Sequence, residues 1–90
     1  MAVEITLDKN EIKRGEDITI LIKKKDSSAN QLTLTIHDES DDSIYAIGVS
    51  GDSTLDTRVI SSVDMEDWDY GKYFVRMFGE KNSCEFELIR

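Results

Sequence analysis

The sequence predicts an all-β fold, a sandwich or barrel of about seven short strands, and three observations carry that reading. Apolar residues alternate with polar ones at period two through most of the chain, the mark of strands buried on one face. Clusters of turn-forming residues recur between the alternating runs, at the roughly 8–12-residue spacing of short-stranded folds. No stretch shows the apolar i, i+3, i+4, i+7 stripe that a stable helix needs.

The elements follow in order. Val3, Ile5 and Leu7 alternate with Glu4, Thr6 and Asp8 as the first strand, and "KNEIKRGED" turns the chain. Ile18, Ile20 and Ile22 alternate with Asp17, Thr19 and Lys23, with Leu21 the one apolar residue on the outer face. The run Lys23-Lys24-Lys25, followed at once by Asp26, reads as a solvated strand end and not as a polyanion site. After "DSSANQ", Leu32, Leu34 and Ile36 alternate with Thr33, Thr35 and His37, and "DESDDS" closes that strand. Ser43 to Val49 and Leu55 to Ser61, separated by "SGDST", are rich in β-branched residues but alternate less cleanly. Beyond "SVDMEDWDYG", Tyr73, Val75 and Met77 face one side while Phe74, Arg76 and Phe78 face the other. "GEKNS" then leads to Cys84, Phe86 and Leu88, interleaved with Glu85 and Glu87.

Residues 1–90 are expected to make a single domain, since domains commonly run to ~100–150 residues. The charged content, 33%, is above and the hydrophobic content, 39%, somewhat below the globular norm. With no proline in the chain, sheet edges must be guarded by charge, and the lysine run and the glutamate-rich last strand are placed to do so. Net charge is −8, and residues 31–90 carry thirteen acidic against five basic groups. Such a surface repels phosphate backbones, so nucleic acid is not an expected partner. The single cysteine, Cys84, permits no intramolecular disulfide. No run approaches the ~18 apolar residues of a membrane-spanning helix. Met1-Ala2 leads straight into a strand with neither a basic nor an apolar leader segment, so no cleaved signal is expected, or the chain is a domain cut from a longer one.

From Asp69 the sequence runs D-x-G-x-Y-x-V, as Asp69, Gly71, Tyr73 and Val75. This resembles the signature at the E–F corner of immunoglobulin domains, where a cysteine stands in the place of Val75. Upstream, "RGEDITILI" resembles the glycine-led run into the second immunoglobulin strand, with Ile22 at the first cysteine position. The resemblance implies an immunoglobulin-like Greek-key sandwich of about seven antiparallel strands, of the cysteine-free kind found in bacterial, archaeal and phage surface proteins. It implies that Gly71 supplies the backbone freedom for the turn into its strand and that the Tyr73 hydroxyl hydrogen-bonds back to the preceding corner. It further implies that Ile22 and Val75 replace the disulfide as an apolar pair, and that Asp69 pairs with a basic residue on a neighbouring strand, for which Arg58 is the candidate.

A search for chemistry yields little. Nucleophilic triads need a histidine beside the nucleophile; the one histidine, His37, is expected on an outward face, and Cys84 inward, in the core. Zinc needs three or four His or Cys ligands, and phosphate loops need a glycine-rich turn before a helix. No catalytic residue, cofactor or enzymatic activity is therefore expected. Asp38, Asp41 and Asp42 offer hard oxygen ligands for calcium, though not at EF-hand spacing. Trp68 and Tyr70 are the leading candidates for a sugar-stacking platform, so a carbohydrate-binding module is the alternative reading. Phe74, Arg76 and Phe78, outward on one strand, are the expected protein interface, because exposed rings around an arginine have the anatomy of a docking hot spot. The expected function is a non-catalytic structural or protein-binding module of a cell-surface, S-layer-like or virion-surface protein, acting on a protein partner or by self-assembly.

Overall fold

The structure, a computed structural model, describes residues 3–24, 31–51, 54–80 and 83–90. Lys25 of the basic run and turn positions 26–30, 52–53 and 81–82 lie outside these residues. Every regular element among the described residues is a strand: β1 (Val3–Leu7), β2 (Glu11–Lys13), β3 (Ile18–Lys24), β4 (Leu32–His37), β5 (Ser43–Val49), β6 (Leu55–Ile60), β7 (Gly71–Met77) and β8 (Ser83–Ile89). Among them no helix is long and apolar enough to cross a membrane.

Seven of these strands coincide with the alternating and β-rich runs of the sequence. The eighth, β2, lies inside a stretch that reads as a turn, because three residues are too few for alternation to register. Ile12, its middle residue, is nevertheless fully buried. β2 also departs from the expected antiparallel pairing: it runs parallel to β8, with Ile12 opposite Leu88.

The strands form two sheets, ordered β1-β3-β6 and β2-β8-β7-β4-β5. The connections β4–β5 and β7–β8 stay within the second sheet, whereas β1–β2, β2–β3, β3–β4, β5–β6 and β6–β7 carry the chain from one sheet to the other. The inward faces share one core: Ile18, Ile20, Ile22 and Ile60 from the first sheet, and Ile12, Leu34, Ile36, Val49, Val75, Met77, Phe86 and Leu88 from the second. Ile22 and Val75 are both completely buried, on opposite sheets.

Two residues contradict their sequence reading. Lys24 is not a solvated strand end; it is 4% exposed. The alternation that points Ile18, Ile20 and Ile22 inward carries Lys24 to the same side, where its ammonium lies 3.6 Å from Asp56 Oδ2 and donates to the Ser50 carbonyl. His37, expected at the surface, is buried as well. It lies on the outer face at a register shift in the β4–β5 pairing, with Nε2 3.0 Å from Thr35 Oγ1 and Nδ1 3.2 Å from the Asp41 carbonyl.

Candidate functional site

The connection from β6 to β7 is built by tight turns. Successive i to i−3 bonds link Asp64 N–H to Ser61, Met65 to Ser62, Glu66 to Val63 and Trp68 to Met65. Met65 plugs this corner into the core. Turns of this kind leave carbonyls with spare acceptor capacity at their end, and one side chain distant in sequence binds three of them. The Arg14 guanidinium donates to the carbonyls of Met65 (3.1 Å), Glu66 (2.6 Å) and Trp68. It also approaches the Tyr70 hydroxyl (3.3 Å) and lies 4.6 Å from the centroid of that ring.

Past the corner, Gly71 opens β7 at φ +142°, a region that L side chains rarely adopt, and a Cβ there would meet Glu39 Oε1 at 3.3 Å. Glu39 instead accepts the Lys72 backbone N–H at 3.0 Å. The positive φ, more than the approach of a flexible carboxylate, explains the glycine between Tyr70 and Lys72. Two residues on, the Tyr73 hydroxyl donates to the Asp69 carbonyl at 2.5 Å. Burial, and after it the Asp69 carboxylate, pushes the Tyr73 phenol above its ordinary pKa. Tyr73→Phe should lower stability by roughly 1–2 kcal/mol, the cost of leaving a partly buried carbonyl without its donor. A denaturation midpoint unchanged within error would mean that this bond contributes nothing.

Between this corner and the β4–β5 loop lies a cleft of about 340 Å³ whose walls include Asp38, Glu39, Asp67, Trp68, Tyr70 and Tyr73. Its aromatic residues spend their rings on each other and on arginines. Trp68 meets Tyr45 edge-on at 5.8 Å and Tyr73 at 5.1 Å, and Tyr73 stacks on Phe86 at 5.6 Å. Tyr70 has Arg90 as well as Arg14 over its ring, at 5.2 Å. The two residues that suggested sugar stacking thus line one cleft, Trp68 half-buried against other rings and Tyr70 still 45% exposed beneath its arginines.

The aspartates of the β4–β5 loop also have work within the fold. Asp38 Oδ1 accepts the backbone N–H groups of Ser40 and Asp42, at 2.9 and 3.0 Å, and so fixes the hairpin. Asp41, at φ 64°, points its carboxylate to His37 Nδ1 (3.6 Å) and Arg76 Nη2 (3.4 Å). Among the described residues no group of three or more His, Cys, Asp or Glu side chains is arranged to hold a metal ion. Comparison with protein-family models and with curated proteins finds no match to this chain.

The outward residues of β7 lie where the alternation puts them. Phe74 and Arg76 are half-buried on the outer face of the five-stranded sheet, opposite His37 and Thr35 of β4. Phe78 follows just beyond β7 and is 78% exposed, the most exposed large apolar side chain among the described residues. Its backbone N–H still bonds the Thr33 carbonyl at 2.8 Å, so the ring is presented from a fixed backbone. Arg76 is held by Asp41, and its carbonyl lies 3.3 Å from the Thr35 hydroxyl.

Other expectations shift. Arg58 does not reach Asp69; its guanidinium contacts Asp56 (3.4 Å) and the Thr57 carbonyl. The arginine that secures the corner is Arg14, which sequence reading passed over as part of a glycine turn. Cys84 faces inward but is only half-buried. Its thiol donates to the Ile5 carbonyl at 2.7 Å, and burial, with a smaller contribution from Glu4, pushes its pKa up.

Proposed function

We propose that the chain is an immunoglobulin-like sandwich module without catalytic function, which docks a protein partner through the outer face of its five-stranded sheet. The observation that carries the docking face is Phe78: a 78% exposed ring on an ordered backbone, flanked by half-buried Phe74 and an oriented arginine. Water-facing aromatic surface costs free energy that a partner's apolar side chain recovers, and a pre-oriented arginine beside it supplies direction at little entropic cost. The immunoglobulin-like assignment is supported by three features: the sheet orders, the Tyr73–Asp69 bond across the corner, and the buried Ile22 and Val75 at the positions of the resembled cysteines. A role in a cell-surface, S-layer-like or virion-surface assembly is the setting that this resemblance suggests.

The test is site-specific photocrosslinking in extract of the native host. A benzophenone side chain replaces Phe78 in one variant and Val59 in another; Val59 is 55% exposed on the opposite, three-stranded sheet. A discrete adduct from position 78 and none from position 59 is the expected result. Equal labelling from both positions, or none from either, overturns the docking face. Adding Arg76→Ala to the position-78 probe variant should weaken the adduct, and Phe78→Ser in the unlabelled chain should change stability by less than about 0.5 kcal/mol, as surface substitutions do.

A further inference from the structure

Two sheets have four edges, and three of them are guarded. β1 carries Glu4, β2 is three residues long and bears Glu11 and Lys13, and β6 carries Asp56 and Arg58. Charge and brevity are the usual means by which proteins stop strand edges from pairing with other chains. The fourth edge, β5, has neither. Its seven residues, SIYAIGV, contain no charge and no proline in a chain that is 33% charged. β5 closes the sheet order β2-β8-β7-β4-β5, and among the described residues no strand pairs with its outer side.

We infer that the β5 edge is a self-association seam: two copies of the chain pair β5 to β5 antiparallel about a two-fold axis at Ala46, making one continuous sheet of ten strands from two of five. The sequence of the strand is what selects a second copy as the occupant. A two-fold at Ala46 sets Ile44 opposite Gly48, Tyr45 opposite Ile47 and Ser43 opposite Val49. On the outer face, 44, 46 and 48 are all exposed, and each large residue there meets a small one, so the chains close without a clash. On the inner face the opposed pair is aromatic with β-branched, which stabilises antiparallel neighbours. No like charges meet across the seam, although each copy carries a net charge of −8. This seam is isologous, and it closes at a dimer. It does not depend on the docking face at Phe78.

The electrostatics give the seam a signature. Two acidic molecules joined through an uncharged strand repel each other everywhere except at the joint, so added salt strengthens the dimer. An interface held by ion pairs weakens under the same change. A strand of this length buries a small interface, so the dissociation constant belongs near ~0.1 mM rather than in the nanomolar range.

The experiment is sedimentation velocity on the full chain up to about 1 mM, at low and high salt, with hydrogen exchange of the β5 amides at both ends of the concentration series. Expected are a monomer–dimer equilibrium that tightens with salt and β5 amides that gain protection as concentration rises. Ala46→Lys sets two ammonium groups against each other at the axis and should weaken the dimer at least about tenfold, even though it lowers the net negative charge. Ile44→Lys, also outside the core, serves the same end if the first variant shows an altered melting curve. Phe78→Ser should leave the dimer intact. A strict monomer throughout overturns the inference, as does open-ended growth beyond a dimer. So does association that survives both lysine variants or is lost in Phe78→Ser, which would assign self-association to the aromatic face instead.

Discussion

Asp56→Ala should destabilise the protein by about 3 kcal/mol, and Lys24→Met, on the other side of the same ion pair, by less than about 1 kcal/mol. The asymmetry follows from burial. The Lys24 side chain is wholly inaccessible, whereas Asp56 retains 16% exposure and has Arg58 Nη1 at 3.4 Å as a second cation. Removing Asp56 leaves the lysine ammonium inside the protein without a counter-charge, against the neutral Ser50 carbonyl, and an uncompensated buried charge is among the costliest defects a core can hold. Removing the lysine charge is different. Methionine keeps the volume and the apolar stem, and the aspartate keeps its arginine. The pair itself recovers little of its desolvation cost, because Asp56 Oδ2, although buried, has no hydrogen-bond partner among the described residues. Guanidinium midpoints of the two variants at pH 7 decide the matter. Equal losses would mean that the lysine is solvated in solution, and the inward placement of Lys24 would fall.

The pairing of Lys24 with Asp56 was hidden in the sequence for a physical reason. Period two points residue 24 inward, but three consecutive lysines read as solvated, and transfer cost argues the same way. What overrode both was a carboxylate from β6 that only the assembled sheet brings near. His37 misled in the same fashion: outward in the alternation, it is covered by the register shift beside it and by the Asp41 turn. By contrast, Ile18, Ile20, Ile22, Tyr73, Val75 and Met77 were legible, because each repeats the same choice of face along its strand and the period itself carries the information. The outward trio at Phe74, Arg76 and Phe78 was legible on the same grounds. β2 was not, since a strand of three residues has no period. Neither the parallel pairing of β2 with β8 nor the sharing of one cleft by Trp68 and Tyr70 has any local signal; both are consequences of how the sheets close.

Arg14 is the largest omission, and its replacement by alanine should cost about 2 kcal/mol. Three charge-assisted bonds to carbonyls at ~1.5–3 kcal/mol each would naively sum to well above that figure. Most of these contacts are exposed, however, and water replaces much of what is lost. Arg14→Lys should recover less than half, because a single ammonium cannot span the carbonyls of Met65, Glu66 and Trp68 as a planar fork does. The loss should also be local. The only tryptophan in the chain, Trp68, follows the turns that Arg14 holds, so its emission should shift in the native state before global unfolding, and amides 64–68 should exchange faster. Arg14 and Tyr73 tie opposite ends of one corner: the first gathers its carbonyls, the second bonds Asp69 as the chain leaves it. Their effects should therefore not add. In a double-mutant cycle with Tyr73→Phe, a coupling of at least about 0.5 kcal/mol is expected. Additive losses would mean that the two ties hold separate pieces of chain, and that the corner does not act as one unit in positioning β7 and the aromatic face it carries.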